Sequence, residues 1–261
     1  MCRWIAYRGE PILLETVVSA PRHSLVAQSR YAHETKEAMN GDGFGIGWYG
    51  ERETPGLYRE VRPAWSDENL LSLCAQVRSH LFLAHVRAST GTAIARANCH
   101  PFAHGRFMFV HNGQVGNYGA IRRQIEGLIP DDLYGERSGT TDSEAVFLAA
   151  LGRARQDDPV RALASTLNSI QNMMRAAGAT EALRFTAALT DGRDLYAFRW
   201  ASDEQAPSLY YRETAQALIV VSEPLDGQDC WREVPQGCAL VSVAGKAATI
   251  RCMNKAIRAA A

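Results

Sequence analysis

The chain has 261 residues, 46% hydrophobic and 21% charged, and its 28 Lys+Arg and 28 Asp+Glu cancel to a formal charge of zero. This is globular rather than disordered composition, and the lack of a basic block excludes the electrostatic footprint of a nucleic-acid or membrane-surface binder. No apolar run approaches 18 residues and the opening MCRWIAYRGE lacks a signal-peptide core, so a cytoplasmic protein without membrane partners is expected.

Neither a low-complexity linker nor an internal repeat interrupts the chain, which predicts a single domain over residues 1–261. Short apolar runs bounded by Gly, Asn or polar clusters predict strands over Cys2–Tyr7, Phe44–Tyr49, Leu81–Arg87 and Phe107–His111. A helix is expected from Asp142, where Val146, Ala149 and Ala150 recur at i, i+3 and i+4. Thr141 and Glu144 there have the spacing of a capping box. A second helix is expected from Pro159, a good first-turn residue, to Ala177 before Gly178. Strands return over Phe185–Thr190, Leu195–Trp200, Leu209–Arg212, Ala217–Ser222 and Cys238–Val243. Strands, then helices, then strands indicate layered α+β architecture rather than βαβ alternation.

Six cysteines are scattered without a CxxC pair, which is neither a zinc-ribbon spacing nor a disulfide framework. Cys74, Cys99, Cys230, Cys238 and Cys252 are expected to be small buried hydrophobes. Cys2 differs by position. Initiator Met is removed when the next residue is small, and a chain beginning with Cys places a thiol beside its own α-amine. That amine titrates near pH 8, low enough to act as a general base at neutral pH.

Three further segments carry polar groups suited to chemistry, each with an ordinary structural alternative. Arg87, in His85-Val86-Arg87-Ala88-Ser89-Thr90-Gly91, could bind a carboxylate through its planar fork or simply face solvent at a strand end. In Val110-His111-Asn112-Gly113, the Asn112 side chain and the Gly113 N–H could converge on one oxygen, or form a plain Asn-Gly turn. In Thr140-Thr141-Asp142-Ser143-Glu144, Asp142 could bind an ammonium group or complement a helix dipole. The Gly41–Gly47 run does not fit a dinucleotide fingerprint, and no phosphate-loop motif is present, so no cofactor is expected. His85, Cys99, His100, His104 and His111 match no zinc spacing, and no metal is expected. A Cys/His hydrolase built on Cys99 or Cys74 would leave Cys2 without a role.

Taken together and in order, Cys2, the H-x-R strand end, H-N-G and T-D-S-E resemble the class II glutamine amidotransferases. Asn40-Gly41-Asp42-Gly43-Phe44-Gly45, Pro63-Ala64-Trp65, Asn98-Cys99-His100-Pro101-Phe102 and Ser222-Glu223-Pro224-Leu225 extend the resemblance over about Cys2–Leu225. It implies an N-terminal-nucleophile hydrolase with a four-layer αββα sandwich. It also implies roles: Cys2 attacks a γ-carboxamide to form a γ-glutamyl thioester, and Asn112 and Gly113 stabilise the oxyanion. Arg87 binds the α-carboxylate and Asp142 the α-ammonium, with Thr90, His100 and Asp42 also assigned to the substrate site. The segment Met39-Asn40-Gly41-Asp42 departs from the R-G-x-D of the glucosamine-synthase and purine-pathway branches but keeps the Asp. The phrases are most similar to branches acting on γ-glutamyl peptides or thiols: the fungal glutathione-degrading amidase subunit and the ergothioneine-pathway amidohydrolase. The expected partner is thus a small γ-glutamyl substrate, with a separate synthase or peptidase subunit where released ammonia or product is used. The contrasting expectation is a catalytically idle glutamine-binding regulatory subunit.

Overall fold

A computed structural model describes residues 2–34, 39–89, 91–154 and 158–253. Thirteen strands are formed among them: β1 Arg3–Leu13, β2 Phe44–Trp48, β3 Gly56–Glu60, β4 Arg78–Val86, β5 Phe102–His104, β6 Phe107–Gln114, β7 Arg184–Thr190, β8 Leu195–Ala201, β9 Tyr210–Glu213, β10 Ala217–Val221, β11 Arg232–Glu233, β12 Cys238–Ser242 and β13 Thr249–Cys252. The α-helices are α1 Glu15–Val18, α2 Leu25–Arg30, α3 Glu68–Gln76, α4 Tyr118–Glu126, α5 Asp131–Tyr134, α6 Asp142–Ala154 and α7 Pro159–Ala176. Among the described residues no helix is long and apolar enough to cross a membrane.

The strands form two antiparallel sheets, one ordered β11-β9-β10-β1-β4-β2-β3 and the other β13-β12-β8-β7-β6-β5. Period-two alternation gives each central strand two apolar faces. In the seven-stranded sheet Ile5, Tyr7, Phe82, Ala84 and Val86 pack with Val17, Leu25 and Leu70 of α1, α2 and α3. Their neighbours Trp4, Ala6, Leu81 and Leu83 face the second sheet, meeting Met108, Val110, Ala188 and Ala197. The outer face of that sheet, through Phe109, Phe185 and Phe198, packs on Ile121, Phe147, Leu151 and Leu167 of α4, α6 and α7. The layers are therefore helix, sheet, sheet, helix, the αββα sandwich that the resemblance implies.

Every predicted strand is present, with shifted ends. Leu209 precedes β9, and β1 runs six residues past its expected end to Leu13. Sequence reading missed β3, β5, β11 and β13 and helices α1 to α5, the strands two to five and the helices four to nine residues long. The predicted capping box of α6 is only half made. Thr141 Oγ1 accepts from the Glu144 N–H at 3.3 Å, but the Glu144 carboxylate accepts from the Ser138 and Gly139 N–H groups at 3.0 and 2.7 Å. It braces the preceding loop rather than the cap. The expectation of five buried cysteines also needs correction. Cys74, Cys99 and Cys238 are buried, whereas Cys252 lies exposed on the edge strand β13 and Cys230 is exposed in the loop before β11.

Candidate active site

Cys2, Arg87, His100, Asn112, Gly113 and Asp142, far apart in sequence, line one cavity of about 690 Å³. The sheets explain the convergence. Arg3 pairs with Val86, so Cys2 emerges where β4 hands over to Arg87. In the facing sheet Asn112 pairs with Thr186 near the end of β6, and Asp142 opens α6. Thr90 lies outside the described residues.

The Cys2 sulfur sits 3.5 Å from the Ala88 backbone N, whose N–H points a dipole at it. Burial nonetheless pushes the thiol above its ordinary value, outweighing the Ala88 hydrogen bond and the nearby Arg87 and Arg3 charges. At neutral pH the thiol is protonated, so attack requires a base at hand.

Arg87 is only 3% exposed, yet no described carboxylate pairs with it. Its guanidinium is held by neutral acceptors: Ser89 Oγ at 3.1 Å, Thr92 Oγ1 at 2.7 Å, the Ala93 carbonyl at 3.3 Å and the Asp42 carbonyl at 3.3 Å. A buried cation without a counter-ion is costly, and the cavity it lines is where an anion would compensate it. Asp142 stands in the same cavity. Its Oδ2 accepts from the Val115 N–H and its Oδ1 from the Ser143 N–H, both at 2.8 Å, which fixes the carboxylate direction.

Gly113 has φ +147°, and a Cβ there would overlap the Arg184 carbonyl oxygen. Only glycine fits, and β6 thereby turns its last residues along the cavity wall. Asn112 is 2% exposed, with Oδ1 lacking any protein partner, and its own carbonyl accepts from Thr186 Oγ1 at 3.1 Å. Asp42 does not line the cavity. It stands behind Arg87, where its carboxylate accepts from the Ser89 N–H at 2.7 Å and so braces the loop carrying the Arg87 acceptors.

His100 lines the cavity, stacked on His85 with ring centroids 4.1 Å apart, and both its ring nitrogens are buried without partners. His85 contacts the His111 carbonyl through Nε2 at 3.2 Å, and His111 Nδ1 meets Ser143 Oγ at 2.8 Å. Burial pushes His85 down to about 3 and His100 well below its ordinary range, and burial also lowers His111. All three are neutral imidazoles in the folded protein at neutral pH.

This has a stability consequence of definite sign. In the unfolded chain these histidines bind protons below about pH 6.5, while the native state takes them up only at lower pH, His85 near 3. Stability is therefore lost as pH falls through that window toward 3. The urea midpoint is expected to drop measurably between about pH 7 and pH 5, before carboxylates titrate; an unchanged midpoint would show the three rings to be charged when folded.

Sequence reading missed the residues that hold the cavity walls. Ser89 and Thr92 carry Arg87, and Ala88 faces the thiol. Asn98 Oδ1 accepts from the Thr140 N–H at 2.8 Å, tying the N-C-H-P segment to the loop before α6. Their signal was proximity to the motif residues, which gives no partner by itself.

The model for class II glutamine amidotransferases matches residues 17–209. The chain is 33% identical to the probable glutamine amidotransferase DUG3 of Saccharomyces cerevisiae, across 92% of this chain and 81% of that one. It is 29% identical to the gamma-glutamyl-hercynylcysteine sulfoxide hydrolase of Mycolicibacterium smegmatis, across 90% and 92%. A solved glutamine aminotransferase class-II domain protein from Silicibacter pomeroyi is 42% identical with a TM-score of 0.77, covering 97% of this chain and 99% of that one. With a cavity that joins Cys2, a buried arginine with no counter-ion among the described residues, an Asn-Gly strand end and a helix-opening aspartate, and with these matches, the chain belongs to the class II glutamine amidotransferases.

Proposed function

We propose that the protein is a γ-glutamyl amidohydrolase whose substrate carries a leaving group larger than ammonia. The observation that carries the reading is Arg87, a buried guanidinium with no described counter-ion in the cavity of the Cys2 thiol. A zwitterionic glutamyl head supplies what the site lacks: a carboxylate for Arg87 and an ammonium for Asp142. The cavity, at about 690 Å³, lies within the range that encloses drug-sized ligands and has room beyond a glutamyl group. The names of the relatives support the same chemistry, one being a hydrolase of a γ-glutamyl thiol derivative.

In this reading Met1 is removed and the Cys2 α-amine takes the thiol proton as sulfur attacks the γ-carbonyl carbon. The oxyanion forms against the Asn112 side chain and the Gly113 N–H. Collapse expels the amine, which receives the proton, and leaves a γ-glutamyl thioester. Water, deprotonated by the same amine, releases glutamate and restores the thiol. His100, neutral with two unpartnered ring nitrogens, offers the substrate a hydrogen bond, and Asp42 braces the loop that holds Arg87. The catalytic apparatus lies within one domain of this chain, in the cytoplasm. A separate synthase or peptidase subunit is needed only to consume the products.

A panel of glutamine, a γ-glutamyl dipeptide, glutathione and an α-decarboxylated analogue tests this. The γ-glutamyl peptides should give the highest kcat/KM, and loss of the α-carboxylate should cost on the order of several kcal/mol, because it strands Arg87. Arg87→Lys should also be costly, since a point charge cannot replace the bidentate fork. Equal rates with and without the α-carboxylate would refute the role of Arg87. Turnover of glutamine alone would instead place the protein among ammonia donors and call for an acceptor subunit.

A further inference from the structure

The segment Ser222-Glu223 lies outside the substrate cavity, yet it grips the three residues at the start of the described chain. Glu223 is 2% exposed, and its carboxylate accepts from Arg3 Nε at 2.7 Å, the His33 N–H at 2.8 Å and the Glu34 N–H at 3.2 Å. His23 Nε2 makes a fourth, very short contact with it. Arg3, 1% exposed, turns its Nη1 to the Cys2 carbonyl oxygen at 2.9 Å. Ser222 completes the grip: its Oγ accepts from the Trp4 N–H at 2.9 Å, and its own N–H donates to the Trp4 carbonyl at 3.1 Å.

His23, His33 and Glu223 bring metal-ligating atoms within 4.8 Å of one another. However, a carboxylate offers about four lone-pair sites, and four donors already face this one. The arrangement is a saturated hydrogen-bonded anion rather than a cation site. A buried ion pair is also a poor source of stability, since apolar residues of similar volume commonly do as well. Its value lies in direction.

Resting on the reading of Cys2 as nucleophile, we propose that Glu223 is a positioning residue: through Arg3 it holds the Cys2 backbone so that the thiol and α-amine face the substrate, and it ties the His33–Glu34 loop to that position. The strand ladder cannot do this alone. β1 begins at Arg3, so Cys2 lies beyond the ladder, held through its carbonyl by Arg3 and through its sulfur by Ala88. Removing the Glu223 charge leaves the Arg3 guanidinium buried without a described counter-ion. It must then shift toward water and release the Cys2 carbonyl. The groups that read the glutamyl head, Arg87 and Asp142, sit at the ends of other elements and keep their partners. The effect therefore falls on the chemical step, where a displacement of about 1 Å can cost a hundredfold.

The test uses the full-length protein and measures kcat, KM and the rate at which a diazo-oxo-norleucine glutamine analogue labels Cys2. Glu223→Gln should lower kcat by about tenfold to a hundredfold with KM within about twofold, and slow labelling in proportion. Glu223→Asp, which keeps the charge, should recover part of the rate. Should Glu223→Gln not fold, the double variant Arg3→Met with Glu223→Gln decides, because it removes both charges without stranding either. It is expected to melt near the wild-type temperature and still be slow. A folded double variant with wild-type kcat, or a Glu223→Gln variant labelled as fast as wild type, would overturn the proposal. Wild-type protein that is not labelled at Cys2 would overturn the underlying reading instead, so the two failures are distinct.

Discussion

Cys2→Ala is expected to abolish hydrolysis of every γ-glutamyl substrate while leaving the protein folded and able to bind the glutamyl head. The side chain is half-buried and its sulfur touches only the Ala88 backbone among its hydrogen-bond partners, so truncation opens a small void at a cavity edge rather than in a sheet core. Arg87 and Asp142, with their own partners, are untouched. The variant should therefore melt close to wild type and show undiminished affinity for a γ-glutamyl ligand by calorimetry, with turnover at background. Residual turnover within a few-fold of wild type would mean that another group attacks the carbonyl. The buried Cys99 would then be the first candidate, although burial pushes its thiol up and leaves it a poor nucleophile.

The second large effect belongs to Asn112. Its side chain lines the cavity beside a glycine whose conformation excludes any other residue, so side chain and strand end are fixed before substrate arrives. Preorganised donors of this kind act where charge develops, and loss of one lowers kcat by about 10² to 10³. Asn112→Ala should show that loss with KM nearly unchanged, because the charge exists only near the transition state. A raised KM with unchanged kcat would make Asn112 a strand-end residue that merely shapes the wall. The Thr186 contact to the Asn112 carbonyl survives the substitution, which limits any structural contribution to the result.

The candidate site motifs were legible in the sequence because each consists of rare polar residues at the ends of apolar runs. Asp142 opens α6 as expected from local pattern; Arg87, expected as the last strand residue, lies just past β4, and Asn112 and Gly113, expected after their strand, lie within β6, paired with β7. The layering could not be read from periodicity alone. Both faces of β1, β4, β6 and β7 are buried, so their runs are continuously apolar and do not tell which face meets a helix and which the other sheet. The helices α1, α2 and α5, four to six residues long, carry too few turns to show a period, and α3 and α4 offer only about two and a half. What supports each site residue was hidden for another reason: it depends on long-range pairing. Asp42 bracing Ser89, Asn98 holding Thr140 and Glu223 gripping Arg3 span 47, 42 and 220 residues. No local spacing encodes such contacts. The capping box illustrates the converse, since Thr141 and Glu144 have the right spacing, but Ser138 and Gly139 compete successfully for the Glu144 carboxylate.

The central claim is that the Cys2 thiol carries the γ-glutamyl group during turnover. It is tested most directly by mixing the enzyme with a γ-glutamyl peptide, quenching in acid within one turnover, and mapping the adduct by peptide mass spectrometry. The expected result is one γ-glutamyl group, labile to hydroxylamine as a thioester is, on a peptide that begins with Cys2 and lacks Met1. Steady turnover with no adduct, an adduct on any other residue, or an active enzyme that retains Met1 would contradict it.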